Sequence, residues 1–188
     1  MQLDKKTWMS LFIAFIMIVS VIGFALTFTE PTQKLEYNEY TFIQTAQGWQ
    51  TKINDLRVTF SNYPAQLEYI TPGEGTAAAL DTRVLWFSYD PTDVNAPDVA
   101  AALFYMEDVL STVKDTYVQR ALLNNTGYVL PQVTCANATT TVPVLILQSS
   151  NETTVTHEAG CIVATAESAQ AVYQVGDRLL YQALGVMQ

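Results

Sequence analysis

An apolar run without a single charged side chain occupies residues 8–28. Ile, Phe, Val, Met and Leu recur all round the helix that this run would form, and a helix that is apolar on every face belongs in lipid or in a large core. A helix of about 20 residues rises about 30 Å, which matches the hydrocarbon thickness of a bilayer. A domain of about 150 residues has little room to bury so long a helix. The run therefore predicts a transmembrane helix over residues 8–28, with the lipid bilayer as its partner.

The charges that flank this run predict its orientation. Lys5 and Lys6 precede it, whereas the flank that follows is acidic. Because lysine and arginine are enriched on the cytoplasmic side, the chain is expected at the cell membrane, single-pass, with its C-terminal head outside. The expected segments are a cytoplasmic tail, a transmembrane helix, a linker and an extracytoplasmic head, at residues 1–7, 8–28, 29–36 and 37–188.

Two other interpretations of the run remain open. A cleaved signal peptide usually has an apolar region of about 7–15 residues that ends in small residues, whereas this run is longer and has no A-x-A site near Phe28. A pilin-like subunit has an N-terminal helix that is cleaved before the apolar run and continues as the spine of a filament. Here Pro31 disfavours helical geometry at Glu30, so the helix would stop there. A surface filament subunit remains an alternative function.

The charge of the chain disfavours one class of partner. The chain has 18 Asp and Glu against 9 Lys and Arg, a net charge of −9. Nucleic-acid binding needs a cationic face, so no nucleic acid is expected as a partner. Solubility of the head is the simplest interpretation of its acidity.

Cys135 and Cys161 are the two cysteines of the chain. In an oxidising compartment an isolated pair predicts a disulfide, and closing a loop of about 25 residues would stabilise the fold by about 3–4 kcal/mol. Two free thiols or a redox pair are the alternatives. The spacing does not fit C-x-x-C, and no basic cluster adjoins either residue to favour a thiolate.

Three N-x-[ST] sequons begin at Asn124, Asn137 and Asn151. They are candidate glycosylation sites and agree with an exported glycoprotein. Polar loop residues in a threonine-rich chain are the alternative interpretation.

The head is expected to be α+β or α/β, with an antiparallel meander followed by a mixed α/β part. Aromatic and β-branched runs broken by Gln47-Gly48 and Asn54-Asp55 predict three strands between residues 37 and 63, in a meander region of residues 37–70. Buried strands are expected at residues 83–89 and 142–147, because both runs are almost continuously apolar. Further along the chain, residues 117–123 fit either a strand or the end of a helix, and a hairpin is expected over residues 153–164.

Two amphipathic helices are expected in the α/β part of the head, residues 83–188. One begins at Pro97, capped by Asn95 or Ala96, and the other follows a capping Ser168 and ends before Gly185. Apolar residues recur every three to four positions in both, which gives each helix one apolar face.

The order of these elements resembles the thioredoxin-like fold over residues 83–185. The resemblance is carried by residues 83–89, the helix from Pro97, residues 141–147 and the last helix. It implies a cis peptide bond at Pro143, next to where that family has its active site. The loop at residues 90–97 has no cysteine, and thiol–disulfide exchange needs a thiolate there, so the resemblance implies a redox-inactive binding domain. The whole chain also resembles single-pass archaeal surface proteins, which implies no activity.

The densest cluster of oxygen ligands in the sequence is Asp90, Asp93, Asn95 and Asp98. A hard cation such as Ca²⁺ binds several such ligands on one loop, so these residues are weak candidates for a metal site. Their spacing differs from the EF-hand pattern. Asp and Asn are also the residues that cap a helix after a strand, which is the alternative interpretation.

Catalytic candidates are sparse. His157 is the single histidine and could act as a general base near Thr154, Thr156 or Glu158, but no G-x-S-x-G motif accompanies it. A glycosidase would use two carboxylates about 5–9 Å apart, for which the chain offers only adjacent acids. No phosphate-binding loop is present, so no cofactor is predicted. The carboxylate pairs considered are Glu152 with Glu158 and Glu36 with Glu39.

These observations favour a membrane-anchored, non-catalytic ectodomain that binds a protein, as an accessory subunit of a membrane or envelope complex. Aromatic residues near the anchor could contribute a partner surface, although core packing accounts for most of them. The alternatives are the filament subunit and an ectodomain hydrolase with a site near Asp90 or His157. The aromatic residues considered are Tyr37, Tyr40, Phe42, Trp49, Phe60, Tyr63 and Tyr69.

Overall fold

The structure is a computed structural model that describes residues 5–27 and 33–188 in two compact units. The first unit contains helix α1, Lys5–Thr27, whose side chains from residue 7 to residue 23 are all exposed. Within the described residues, no helix has both the length and the apolar character needed to cross a membrane. The transmembrane helix therefore stays a prediction. Most of the expected tail, residues 1–4, and residues 28–32 of the span and linker lie outside the described residues.

The second unit, Lys34–Gln188, begins with a four-stranded antiparallel sheet. The prediction of three strands and of a linker reaching residue 36 is wrong, because the first strand already begins at Lys34. Leu35 and Tyr37 are half-buried and alternate with exposed neighbours, and Asn38, at φ 51°, makes a two-residue turn that joins Tyr37 to Tyr40. Both turns that the sequence predicted are present. The strands are β1 (Lys34–Tyr37), β2 (Tyr40–Thr45), β3 (Gly48–Ile53) and β4 (Leu56–Phe60).

Two short helices that the sequence analysis missed follow the sheet. Pro64–Leu67 is a 3₁₀ turn inside the expected meander region, and helix α2 spans Thr76–Leu80. The 3₁₀ turn is stabilised by Gln66, whose Oε1 accepts a hydrogen bond of 3.0 Å from the Tyr63 amide. A five-residue helix has too little periodicity to be recognised from sequence.

The rest of the unit is a five-stranded mixed sheet with two long helices, so the expected combination of an antiparallel sheet with a mixed α/β part is confirmed. Four strands run parallel and β8 runs antiparallel to its neighbour, in the order β6-β5-β7-β9-β8. The ambiguous segment near Tyr117 is a strand. The elements are β5 (Val84–Tyr89), α3 (Ala96–Lys114), β6 (Tyr117–Leu122), β7 (Val144–Ser149), β8 (Thr154–Glu158), β9 (Cys161–Ala166) and α4 (Ala169–Ala183).

One large apolar core extends through both sheets and the two long helices. The apolar faces predicted for α3 and α4 are buried in it, as Met106 and Val175 illustrate. Tyr181 of α4 is fully buried against Phe60 and Phe42 of the antiparallel sheet, with ring centroids 4.1 and 5.9 Å away. Helix α4 therefore packs against both sheets.

The predicted helix caps are confirmed in part. The Ser168 hydroxyl accepts a hydrogen bond of 3.2 Å from the Ala171 amide, and Gly185 has φ 73° just beyond α4. Asn95 precedes α3, but its side chain makes no cap hydrogen bond. No peptide bond in residues 33–188 or 5–27 is cis, so the cis bond that the resemblance implied at Pro143 is wrong.

Candidate functional site

The carboxyl ends of β5 and β7 form a topological switch point. From β5 the chain passes through α3 to β6 on one side, whereas β7 pairs with β5 on the other side. In open α/β sheets ligands bind outside the carboxyl ends of the strands at such a point. The predicted cluster of Asp90, Asp93, Asn95 and Asp98 follows β5 and lies at this end of the sheet.

Asp93 and Asn95 are brought together around Ser149, the last residue of β7. The Asp93 carboxylate accepts hydrogen bonds from the Ser149 amide at 2.7 Å, from the Ser149 hydroxyl at 2.5 Å and from the Asn95 amide at 2.8 Å. The Asn95 side chain donates to the Ser149 hydroxyl at 2.9 Å. Burial acts to raise the pKa of Asp93, but the hydrogen bonds from Ser149 and Asn95 outweigh it and lower the pKa below its ordinary value. This network ties the loop after β5 to the end of β7.

Asp90 and Asp98 are directed to other partners. Asp90 accepts hydrogen bonds from the Thr92 amide at 2.8 Å and the Thr92 hydroxyl at 2.7 Å, and Asp98 accepts one from the Tyr173 hydroxyl at 3.0 Å. Within the described chain, no three His, Cys, Asp or Glu side chains are grouped so that they could hold a metal ion. In this structure Asp90 stabilises a turn, Asp93 and Asn95 tie the loop to the end of β7, and Asp98 hydrogen-bonds α3 to α4.

His157 lies at the opposite end of the mixed sheet. It pairs with Ile162 near the start of β9, and its Nδ1 lies 2.9 Å from the Glu74 carbonyl oxygen. Through Ile162, His157 is level with Leu145, four residues before Ser149, so the two side chains are about 13 Å apart along the strand direction and two strands apart across the sheet. The structure does not bring the two candidate hydrolase residues together.

The two candidate carboxylate pairs lie on different parts of the head. Glu152 lies in the bend before β8 and Glu158 is the last residue of that strand, so the length of the strand, about 13 Å, separates them and is too great for a glycosidase pair. Glu36 and Glu39 are exposed side chains of the β1–β2 hairpin.

The predicted disulfide between Cys135 and Cys161 is present, with the two Cα atoms 5.2 Å apart. It joins the long connection between β6 and β7 to the first residue of β9. There is no free cysteine in the described chain, so the alternatives of free thiols and a redox pair of thiols do not describe this structure.

All three predicted glycosylation sites are exposed. The Asn124 side-chain oxygen accepts a hydrogen bond of 2.8 Å from the hydroxyl of Thr126, the third residue of its own sequon. The Asn137 side-chain oxygen accepts one of 2.9 Å from the Thr134 amide, and Asn151 lies in the turn before β8. Modification at these sites stays a prediction.

A cavity that the sequence analysis missed lies between the antiparallel sheet and helices α3 and α4, with a volume of about 230 Å³. Its most unusual wall residue is Asp177, which is only 3% exposed. The Asp177 Oδ2 accepts hydrogen bonds from the Asn62 amide at 2.8 Å and the Asn62 side chain at 2.9 Å. Burial raises the pKa of Asp177 to about 7, although the hydrogen bonds from Asn62 act in the opposite direction. The wall also includes Gln47, Thr59, Ser61, Ala102, Tyr105, Met106, Tyr173 and Gly176.

Tyrosine hydroxyls complete the polar contacts around this cavity. The Tyr105 hydroxyl donates a short hydrogen bond to the Thr59 carbonyl, and burial raises the pKa of Tyr105 well above its ordinary value. Tyr181 donates to the Asn62 carbonyl at 2.6 Å, and burial raises its pKa in the same way. Both side chains are therefore neutral hydrogen-bond donors near the carboxyl group of Asp177.

No family model, curated protein or solved structure matches this chain. The resemblance to the thioredoxin-like fold therefore stays a prediction, and the function is argued from the geometry of the chain alone.

Proposed function

We propose that the chain is a non-catalytic, protein-binding ectodomain, tethered to a membrane by residues 8–28, that serves as an accessory subunit of a membrane or envelope complex. The observation that supports this most strongly is the exposure of the apolar side chains of α1. Its large apolar side chains between Trp8 and Ile22 are 47–68% exposed. Full burial of such a side chain is worth about 1.5–3 kcal/mol, so an apolar surrounding for this helix is strongly favoured.

Lipid is the surrounding that suits this surface best. The apolar side chains cover the whole circumference of α1, and a partner protein would cover only one face of a helix. The proposal also includes residues 24–28, whose apolar sequence continues the run and whose side chains lie outside the described set. With those residues the run is about 30 Å long as a helix, which is the thickness of the bilayer core.

The disulfide and the sequons support a head outside the cytoplasm. A structural disulfide persists in oxidising compartments and is rare in the cytosol. The exposed Asn124, Asn137 and Asn151 side chains are accessible to modification on that side. Both features agree with the orientation that Lys5 and Lys6 predict.

The arrangement of polar residues supports a binding role over a hydrolase. The hydroxyl groups of Ser149 and Thr92 both have a carboxylate partner at the switch point, but the Ser149 amide and hydroxyl are occupied by Asp93 and Asn95, and Thr92 is occupied by Asp90. A nucleophile needs a general base within hydrogen-bond reach. The carboxylate within reach of Ser149 is Asp93, whose lowered pKa makes it a weak base, and His157 lies at the other end of the sheet. Binding through the surface of the head therefore accounts for these residues better than catalysis.

Fractionation of the full chain expressed in cells tests the anchor. The wild-type protein is expected to stay in the membrane fraction after an alkaline carbonate wash. A double variant, Ile16→Lys and Val19→Lys, is expected to be released, because two lysines in the middle of a span cost about 5–7 kcal/mol. The matched control, Thr156→Lys on an exposed strand position of the head, is expected to stay membrane-bound. Wild-type protein in the soluble fraction would contradict the proposal.

The membrane preparation also serves to distinguish the accessory subunit from the two alternative functions, a filament subunit and a hydrolase. Sequencing of the mature N-terminus distinguishes a filament subunit, since cleavage before Leu11 would favour it. Extraction in mild detergent followed by size-exclusion chromatography tests whether the chain is bound to a partner protein. Recovery of the chain as an isolated monomer would contradict a subunit role. Activity that is lost on Asp90→Ala, in a screen of hydrolase substrates, would favour the enzyme instead.

A further inference from the structure

We propose that the cavity beside Asp177 is a binding site for a primary ammonium group of a small organic ligand. The proposal stands on the head alone and does not depend on the proposed anchor or subunit role. The cavity has a volume of about 230 Å³. Pockets for drug-sized ligands measure about 300–1,000 Å³, so the ligand for this cavity is smaller.

The first argument is an uncompensated negative charge. None of the ion pairs in the described part of the chain includes Asp177, although this side chain is only 3% exposed. The neighbouring Arg178 is directed elsewhere and donates to the Ile70 and Gln188 main-chain oxygens at 3.0 and 2.7 Å. A buried carboxylate without a cation is costly, and a bound cation relieves that cost.

The second argument is that the position of Asn62 does not require this charge. The main-chain amide and the side-chain nitrogen of Asn62 both donate to one oxygen, Oδ2 of Asp177. The carboxamide of an asparagine at position 177 would present an acceptor oxygen of the same kind. The Ser61 main chain also hydrogen-bonds this carboxyl group, and such bonds to main-chain amides need an acceptor oxygen rather than a full charge, so the charge is available to a ligand.

The third argument is the chemistry of the other wall residues. Tyr105 from α3 and Tyr173 from α4 present aromatic rings, which attract a cation placed over their faces. Thr59, Ser61 and Gln47 also line the cavity, and their side chains are of types that carry an oxygen acceptor for an ammonium group. Lys, Arg and His are absent from the wall described, so an anion would meet only repulsion from Asp177.

The pH dependence of binding follows from the groups that face Asp177. These are Tyr105 from α3 and Tyr173 and Tyr181 from α4. Asp108 of α3 is exposed and acts on Tyr105 rather than on Asp177. The tyrosines stay neutral, so the carboxyl group is the one that titrates. A bound cation favours the ionised carboxylate, so affinity is expected to fall about tenfold for each pH unit below the Asp177 pKa of about 7 and to level off above it.

Calorimetric titration of the full chain in detergent micelles tests the site. At pH 8, n-butylammonium is expected to bind saturably, whereas n-butanol, which has the same length and no charge, is expected to bind at least tenfold more weakly. Nα-acetyl-lysine amide carries the same ammonium group and represents a lysine side chain of a protein. Binding of either ammonium supports the proposal, and the tighter of the two identifies a free amine or a protein lysine as the source.

Three variants locate the binding. Asp177→Asn is expected to weaken n-butylammonium at least tenfold, while Asp108→Asn, which removes an exposed charge from α3, is expected to leave it unchanged. Gly176→Ala adds a methyl group 3.5 Å from the Met106 sulfur, an ordinary contact, so this variant is expected to fold and to bind several-fold more weakly in the narrowed cavity. No saturable binding by either ammonium, equal binding of n-butanol, or unchanged binding by Gly176→Ala or a folded Asp177→Asn would overturn the proposal.

Discussion

Asn62 makes three hydrogen bonds with two residues of α4. Its amide and side-chain nitrogen donate to Asp177, and its carbonyl accepts from Tyr181 one helical turn further on. Positions four apart lie on the same face of a helix, which is why both reach one loop residue. This contact fixes the end of β4 against α4 and forms one wall of the cavity.

Asp177 makes the stability of the head depend on pH in an unusual direction. Burial raises its pKa from an ordinary value of 3.8 to about 7, so the folded state binds the proton more tightly than the unfolded state. The contribution of this proton binding to the free energy of unfolding is fully present below pH 3.8, falls as pH rises towards 7, and is gone above it. The full difference is about 4 kcal/mol. Urea unfolding of the full chain in micelles between pH 4 and 8 measures it.

Substitution separates this contribution from those of the other acids. In Asp177→Asn the difference in unfolding free energy from the wild type is expected to change between pH 4 and 7, because the variant has no proton to lose. Asp108→Asn carries the same change in formal charge at an exposed position and is expected to follow the wild-type curve. Parallel curves for the wild type and Asp177→Asn would contradict the burial of this carboxyl group.

Asp93 has the opposite dependence, since hydrogen bonds from Ser149 and Asn95 outweigh the effect of burial and lower its pKa. Its contribution is present above its unfolded pKa and is lost as pH falls through the folded value. The two acids therefore titrate in different pH ranges. The effect of Asp177 on the free energy of unfolding can be measured at pH values above those at which Asp93 titrates.

At the scale of the elements, the turn between β8 and β9 depends on a glycine. Gly160 has φ 85°, and a Cβ there would lie 2.5 Å from the Thr139 carbonyl oxygen. Gly160→Ala is expected to destabilise the head by more than 2 kcal/mol, since a left-handed backbone costs about 1 kcal/mol and the clash adds to it. Thermal unfolding measures the difference.

Gly127 offers a matched control for that substitution. It has almost the same backbone angle, φ 84°, but a Cβ there meets nothing within 4 Å. Gly127→Ala is expected to cost only the conformational part, about 1 kcal/mol. Equal losses in the two variants would show that the contact with Thr139 has no energetic role.

The elements that the sequence predicted well are the long and periodic ones. The helices after Asn95 and Ser168 each have an apolar face that repeats over several turns, and the run at Val84 is almost continuously apolar. The β1 strand was missed because four residues carry too little alternation to distinguish a strand from a linker. Asn95 occupies the N-cap position, as predicted, but its side chain makes no cap hydrogen bond and donates to Ser149, 54 positions away in the sequence.

The cavity could not be predicted for a related reason. Asp177 and Asn62 are 115 positions apart, and no local pattern connects them. Asp177 lies about 200° around helix α4 from Val175 and Leu179, on the side where the sequence predicts exposed polar residues. Its burial at 3% exposure therefore follows only from the tertiary structure.

At the scale of the whole molecule, the two faces of the mixed sheet are covered differently. Helices α3 and α4 belong to the large core, whereas a small second cluster contains Val133 from the long connection between β6 and β7, together with Val144 and Ile146 of β7. This connection has only a three-residue 3₁₀ turn, Cys135–Asn137. It is attached by the disulfide, by the hydrogen bond of 2.7 Å from the Ser88 hydroxyl to the Val133 carbonyl, and by main-chain hydrogen bonds of 3.0 Å that join Leu122 to Pro131 and Val133.

Removing the disulfide is expected to destabilise the head without changing its fold. The double variant Cys135→Ala, Cys161→Ala is expected to lose about 3–4 kcal/mol, since the bond closes a loop across a sequence separation of 26 and restricts mainly the unfolded chain. The circular dichroism spectrum should stay that of the wild type, because the large core does not include either cysteine. Urea unfolding gives the loss, and dithiothreitol should lower the wild type to the level of the variant while leaving the variant unchanged. A loss below 1 kcal/mol, or a further effect of the reductant on the variant, would show that the connection is held by its apolar contacts and the Ser88 hydrogen bond instead.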